Sequence, residues 1–445
     1  MEKQMESACG AGAHEMMIGT FVGLDGVIRS KAVPGAREAA FASSGMGASP
    51  TWAVFCPDNA IAFTDKLSVV GDWRLVADRS MERSLGEGIV WAPTDLRTQD
   101  GSPSPYCPRE ALRRVVHKAE GMGYSALFGF EFEFYLLDNA GVTEQDVTSE
   151  QWGAYGADSF LERSEFFARL QDMCAESGIP LEQMHCEYDH CQLEISTAPD
   201  EPLRAADTAV LTKMVIKRAA HMFGKKVSFS PKPFLGLSGN GGHIHCSITH
   251  EGEPIFSTGH GPHALTKRGC SAIAGIESHV VELSALYAGS PVSQLRLSPD
   301  SWSGAAVCWG LENREAAIRF CAATPGNPHG ANVELKCGDL SANPYYALAC
   351  ILGSSIDGID RSMELLPEIT VNPSTMPQEE RERYRVSRLP STYDEVTEAF
   401  AQSSFAKELL GEDVVEADLA IRRLMSRTYG SRSDQDCADV MRYAW

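Results

Sequence analysis

The pattern of apolar and polar positions divides the chain into a strand-rich beginning and a longer stretch in which strands alternate with helices. Met17 to Val22 and Val27 to Val33 are strand-forming runs on either side of Gly-Leu-Asp-Gly at 23–26, and Asp-Gly is a strong hairpin signal. Short apolar runs at 51–55, 60–64 and 67–70 predict further strands, and the Gly- and Ser-rich stretch 41–50 predicts a loop. Turn formers crowd residues 98–105 and mark a boundary. Beyond it, Pro108 opens a predicted helix that carries Leu112, Val115, Val116 and Ala119 and ends at Gly121 or Gly123. Helical spacing recurs over 164–177 and 203–223, and Asn343-Pro344 offers a capping side chain followed by a first-turn proline. From about residue 378 onward the pattern is mainly helical and charged.

One predicted strand organises the rest. In Gly-Phe-Glu-Phe-Glu-Phe-Tyr at 129–135, alternation puts Glu131 and Glu133 on one face and Phe130, Phe132 and Phe134 on the other. Two buried carboxylates side by side need cations to offset their lost hydration, and hard divalent ions such as Mg²⁺ or Mn²⁺ take oxygen ligands. Further acids stand on strand-like segments: Glu187, Glu194 and Glu334. His243, His245 and Ser247 share one face of another predicted strand, entered through a glycine-rich loop. Arg314 and Arg319 lie on a predicted bend and suit phosphoryl oxygens. Taken singly, each acid is equally a solvated surface charge, each arginine a surface cation, and His243 a core imidazole bonded to backbone.

Composition narrows the function classes. The chain has 445 residues, 43% of them hydrophobic and 22% charged, which describes a globular protein with room for two or three domains. A net charge of −21 argues against nucleic acid and anionic membranes as partners and is compatible with bound divalent cations. No apolar run is long enough to span a bilayer, and the first residues lack the pattern of a signal peptide, so the expected location is cytoplasmic. The 13 cysteines are odd in number and form no CxxC pair, which points to reduced, buried thiols.

Together these segments resemble the glutamine synthetase family. The resemblance rests on Gly-Phe-Glu-Phe-Glu-Phe at 129–134, Glu187 through Gln192 to Glu194, and Phe-Ser-Pro-Lys-Pro at 229–233. It continues through Gly-Gly-His-Ile-His-Cys-Ser at 241–247, Asn-Arg-Glu-Ala-Ala-Ile-Arg at 313–319 and Asn-Pro-Tyr at 343–345, in family order and at family spacing. It implies an α+β fold: a small N-terminal β-grasp domain over 15–100, then a large catalytic domain over 104–445 whose curved antiparallel sheet is flanked by helices. It implies that Glu133, Glu187 and Glu194 hold one divalent metal and Glu131, His243 and Glu334 a second, with two or three Mg²⁺ or Mn²⁺ ions in all. ATP is expected at Glu182, His245, Ser247 and Arg319, and L-glutamate at Gly239, His243, Arg296 and Lys336. Arg314 is expected to face the phosphoryl group, making Arg296, Arg314 and Glu334 the catalytic candidates. Two stacked hexameric rings, with sites between subunits, are the implied assembly. Trp52 and residues 41–50 would then act on the adjacent subunit.

The chain departs from the family where ammonium should bind. An Asp-Gly-Ser-Ser loop is replaced by Phe41-Ala42-Ser43-Ser44, and a glutamate is replaced by Trp302. A pocket without these anions suits an organic amine better than NH₄⁺, because an aromatic wall offers apolar area or a cation–π face. The altered pocket resembles the γ-glutamylamide ligase branch, which implies an ATP-dependent ligase joining glutamate to an amine. Lys336 and Asn332 stand where arginines are usual, and no adenylylation-site tyrosine loop is found. Two rivals remain open: a glutamine synthetase with a rebuilt ammonium pocket, and a catalytically silent relative with a structural role.

Overall fold

The computed structural model describes residues 15–138, 141–327 and 330–445. Strand β1 (Met16–Val22) turns through 23–27 into β2 (Ile28–Pro34), as the Asp-Gly pattern predicts, and the two pair antiparallel. The turn closes with the Gly23 amide donating to the Val27 carbonyl at 3.1 Å. With β3 (Met46–Ala48), β4 (Trp73–Ala77), β5 (Arg83–Gly86) and β6 (Ile89–Arg97) they form a sheet of order β2-β1-β6-β4-β3, with β5 on β6.

Four expectations fail inside this unit. Residues 51–55 are not a strand but part of a 3₁₀ turn, Pro50–Val54. Pro50 lacks an amide for a ladder, and the Ser49 hydroxyl accepts from the Thr51 amide, so turn chemistry overrides the apolar pattern. Residues 60–64 and 67–70 make no strand beyond one bridge from Phe55 to Ile61. Val69 and Val70 face solvent, so their β-branched side chains have no neighbour to pair with. Nor is 41–50 a loop throughout. Helix Glu38–Ser43 buries Phe41 completely with its ring against Gly19, and β3 follows.

The larger sheet comprises β7 (Tyr124–Leu137), β8 (Leu181–Cys186), β9 (Gln192–Asp200), β10 (Lys226–Ser228), β11 (Ile244–His250), β12 (Glu253–Pro254), β13 (Ala306–Leu311), β14 (Ala316–Cys321), β15 (Asn332–Leu335) and β16 (Ser387–Arg388). Its order is β16-β13-β14-β15-β11-β7-β9-β8. The pairs are antiparallel except β13 with β14. Phe128, Phe130, Phe132 and Phe134 on β7 are buried on the back of this sheet. There Phe130 and Phe132 line one small cavity with Ala209 and Val210 of helix Pro202–Met222 and with Val22 and Ile28 of the small sheet. Burial of each ring stabilises by roughly 1.5–3 kcal/mol.

The predicted helices form at Pro108–Gly121, Ser164–Glu176 and Pro202–Met222. Asn343 caps helix Pro344–Asp360, and its amide group also donates to the Val22 and Gly23 carbonyls at 3.1 and 3.0 Å, tying this helix to the first hairpin. All cysteines among the described residues are free thiols. Among those residues no helix is long and apolar enough to cross a membrane.

Candidate active site

Pairing register aligns the charged residues. Glu334 on β15 pairs with both Arg319 on β14 and His245 on β11. The Glu131 amide on β7 donates to the His243 carbonyl at 3.0 Å, and Glu133 pairs with Glu194 on β9, which in turn pairs with His185 on β8. Because each residue is reached by an even step, one face of six adjacent strands carries Arg319, Glu334, His245, His243, Glu131, Glu133, Glu194 and His185.

Two convergent groups stand on this face. Ligand atoms of Glu131, His243 and Glu334 lie within 4.8 Å of one another, and so do those of His185, Glu187 and Glu194. The first is the trio expected from sequence. The second differs from expectation: His185 joins Glu187 at 2.9 Å and Glu194 at 3.6 Å. Glu133 turns instead toward the His243 Nε2 at 3.1 Å and accepts from the Gly241 amide at 2.6 Å. A side chain at position 241 would meet His243 at 2.6 Å and Glu133 at 2.9 Å, so glycine is required for this close approach.

Charge on the face is unbalanced. Burial, then repulsion from Glu131, Glu133 and Glu187, pushes the Glu194 carboxyl up to about 10. Burial would also raise Glu133, but the His243 hydrogen bond and the charges of His243 and Arg296 hold it at about 2. Glu334 is lowered against its own burial by Lys336, His243, His245 and Arg319. Crowded carboxylates with two imidazoles and few cations are a donor set that fits hard divalent ions.

The other expected residues divide into those tied to the face and those standing apart. Arg319 donates to Glu334 at 3.0 Å, and Lys336 reaches Glu334 and the His243 ring, both at 3.3 Å. His245 contacts Glu131 at 3.2 Å and the Asn332 amide oxygen at 2.9 Å. Ser247 follows on the same face of β11. Arg296 is buried and donates to the Lys336 and Cys337 carbonyls at 3.1 and 3.2 Å. A side chain at Gly239 would lie 2.7 Å from Arg296. Glu182 and Arg314 are exposed, and among the described residues no hydrogen bond ties either to the acidic face. Ala42 lies in the helix Glu38–Ser43 of the small sheet unit, half-buried. Trp302 is 56% exposed, so its ring does not fill the core.

Sequence reasoning missed His185 and Tyr155. His185 was legible as alternation, two residues before Glu187. Tyr155 was not, since it comes from a loop: its hydroxyl donates to Glu187 at 2.8 Å while its ring stays 53% exposed. The same carboxylate accepts from the Tyr188 amide at 2.8 Å.

The chain is similar to several known proteins. A family model described as the glutamine synthetase catalytic domain matches residues 105–436. The gamma-glutamylpolyamine synthetase GlnA3 of Streptomyces coelicolor is 37% identical over 418 residues, covering 93% of this chain and 90% of that protein. The glutamine synthetase of Pyrococcus abyssi is 33% identical over 315 residues, covering 71% of this chain and 70% of that protein. A crystal structure of a glutamine synthase homolog superposes with a TM-score of 0.87 at 26% identity, covering 98% of this chain and 100% of the other.

Proposed function

Because this chain belongs to the glutamine synthetase family, we propose that it is an ATP-dependent ligase joining the γ-carboxylate of glutamate to an organic amine. The observation that carries this reading is the acceptor end, where Phe41, next to Ala42, and the exposed ring of Trp302 occupy positions that the family pattern fills with anions. A small cation stripped of water needs a carboxylate, whereas an indole face accepts methylenes or an ammonium group at the end of a longer chain. The resemblance to a polyamine synthetase over nearly the whole chain supports a polyamine as the acceptor class. So does the net charge of −21, which draws a polycation in.

In this reading ATP lies against Glu182, His245, Ser247 and Arg319, and glutamate against Gly239, His243, Arg296 and Lys336. The ATP γ-phosphoryl group passes to a γ-carboxylate oxygen and ADP leaves. The amine nitrogen then attacks the acyl carbon, loses a proton and expels phosphate. Glu131, His243 and Glu334 would hold one divalent ion, and Glu187 and Glu194, with Glu133 or His185, another; bound there, the ions neutralise phosphoryl charge. Arg319 and Lys336, both anchored on Glu334, keep their cations beside the transferred group, and Arg314 is free to swing toward it. The buried Arg296 holds the backbone of Lys336 and Cys337, which fixes the floor under glutamate. Two stacked hexameric rings are the proposed assembly, and full activity from a monomer in solution would refute it.

The test is phosphate release from ATP with glutamate and Mg²⁺, comparing ammonium with putrescine, spermine, ethanolamine, methylamine, isopropylamine and aniline, with product masses determined. Turnover of one amine far above ammonium is expected. Trp302→Ala should then lower kcat/KM for that amine by roughly 10–200-fold. Turnover with ammonium alone would identify a glutamine synthetase, as the Pyrococcus relative is named. Failure to bind ATP with Mg²⁺ or Mn²⁺ would leave only a structural role.

A further inference from the structure

Trp302 lies in a loop that packing does not hold. Its ring is exposed, and Pro299 and Ala305 border an open cavity of about 320 Å³ shared with Pro373, Ser374, Gln378 and Arg388. Its backbone is at φ 53° and that of Asp300 at φ 61°, a region that a non-glycine residue keeps only when its surroundings impose it.

Ser301 and Ser303 tie the loop to the Ser298 carbonyl, and at the Trp302 backbone itself the restraint comes from one buried acid. Glu315 accepts the Trp302 amide on Oε1 at 2.7 Å and the Asp300 amide on Oε2 at 3.2 Å, so both carboxylate oxygens are spent on this loop. Asp300 is pinned from the other side by the Asn372 amide group at 2.7 Å and the Ser374 hydroxyl at 2.6 Å. At the end of the loop Gly304, at φ 71°, passes so close to Lys336 that a side chain there would lie 2.7 Å from the lysine Cβ. Glu315 also follows Arg314 directly. The loop bearing the aromatic wall is thereby fastened to the turn bearing the phosphoryl-facing arginine and rests against the lysine beside Glu334.

We propose that Glu315 is the positioning residue that sets amine selectivity, by holding the Trp302 backbone in the left-handed conformation that presents the indole to the acceptor. This rests on the reading of Trp302 as the acceptor wall. Charge-assisted bonds from two backbone amides to one carboxylate are directional, and a glutamine can accept only one of them because its other terminus is a donor. Glu315→Ala should free the Trp302 amide and Glu315→Gln should do so in part, with Asp300 still held by Asn372 and Ser374, while the residues assigned to ATP and glutamate stay in place.

The experiment measures KM for the amine, for ATP and for glutamate in the full-length enzyme, its Glu315→Ala and Glu315→Gln variants. It also records the fluorescence anisotropy of Trp302, isolated by difference against Trp302→Phe in each background. The expected result is an amine KM raised about tenfold or more in Glu315→Ala and less in Glu315→Gln, with ATP and glutamate KM within about twofold. Trp302 anisotropy should fall in the same order. A lowered thermal midpoint with amine KM and anisotropy both unchanged would overturn the proposal and leave Glu315 a merely structural residue. If the wild-type enzyme turns over ammonium and no organic amine, the ligase reading falls, and the selectivity claim with it. The anisotropy series still decides separately whether Glu315 holds Trp302.

Discussion

Around Arg109, three aspartates from three elements share one buried guanidinium; around Glu131, five glutamates crowd a strand face with far less cation to share. Arg109 grips Asp207 through Nε at 3.0 Å and Nη2 at 2.9 Å, reaches Asp78 at 2.8 Å and also donates to Asp95. Arg113 adds a second guanidinium to Asp95 at 2.8 Å, and the Tyr345 hydroxyl donates to Asp207 at 2.7 Å. Asp78 and Asp95 belong to the small sheet unit and Arg109 and Asp207 to the helices behind the large sheet, so this cluster staples the two together, its three carboxylates set against Arg109, Arg113 and, 3.8 Å from Asp95, Arg97. On the strand face, Lys336 and Arg319 both lean on Glu334, and Glu194 is left among like charges. Both clusters have similar burial and similar chemistry. What separates them is charge balance: a closed cluster holds structure, and an anionic surplus marks a place built for a ligand's cation.

The comparison breaks if the two clusters respond alike to the loss of one member. Glu334→Ala should lower kcat/KM by about 10³-fold or more, since it removes a ligand donor and the anchor of Arg319 and Lys336 together. Its thermal midpoint, measured without divalent ions, should fall, because Arg319 and the buried Lys336 lose their partner, whereas Glu194→Gln, at the carboxyl left among like charges, should hold or raise it. Against Glu194→Gln, the staple should show the reverse. Arg109→Ala leaves Asp207 buried and unpaired, and a loss of about 3–5 kcal/mol in unfolding free energy by denaturant titration is expected. An Arg109→Ala protein as stable as the wild type would mean that the cluster does not staple the two units together.

A gradual, pH-dependent effect belongs to a buried lysine without an acidic hydrogen-bond partner. Lys213 lies on helix Pro202–Met222, and burial, then repulsion from Lys217, lowers it to about 7. It donates to the Leu340 carbonyl at 2.8 Å. A depressed lysine is neutral in the fold and charged when unfolded between that value and about 10.5. Its contribution to stability is therefore present above the unfolded value and lost as pH falls toward 7, by about 1.4 kcal/mol per unit. Lys213→Met should flatten this slope over pH 7–10, read from unfolding midpoints; an unchanged slope would mean that the ammonium is compensated in place.

Legibility from sequence followed locality. The strand bearing Glu131 and Glu133 was plain from alternation, because side-chain direction on a strand repeats every two residues whatever the strand pairs with. The helix at Pro344 was plain from its cap. The runs at 60–64 and 67–70 misled for the complementary reason: apolar composition predicts a strand only where a partner edge exists, and here none is offered. The site was legible as a set of residues but not as a grouping. His185 rather than Glu133 completes the second cluster, because the choice depends on where the Gly241 amide sits, a hundred residues away in the chain.

Glu315 shows the same limit most clearly. Within its own segment it is one more acid beside an arginine, and only the meeting of two loops reveals that it binds both backbone amides under Trp302. From the sequence alone came the first hairpin, the strand bearing Glu131 and Glu133, the main helices, the family, and the chemical kinds of side chain available for phosphoryl transfer. These follow from local periodicity and composition. The tertiary structure decided which carboxylates face each other, which are neutralised and which are not, and that Trp302 stands in the open. Charge balance and exposure are properties of neighbours in space, and the order of residues along a chain does not contain them.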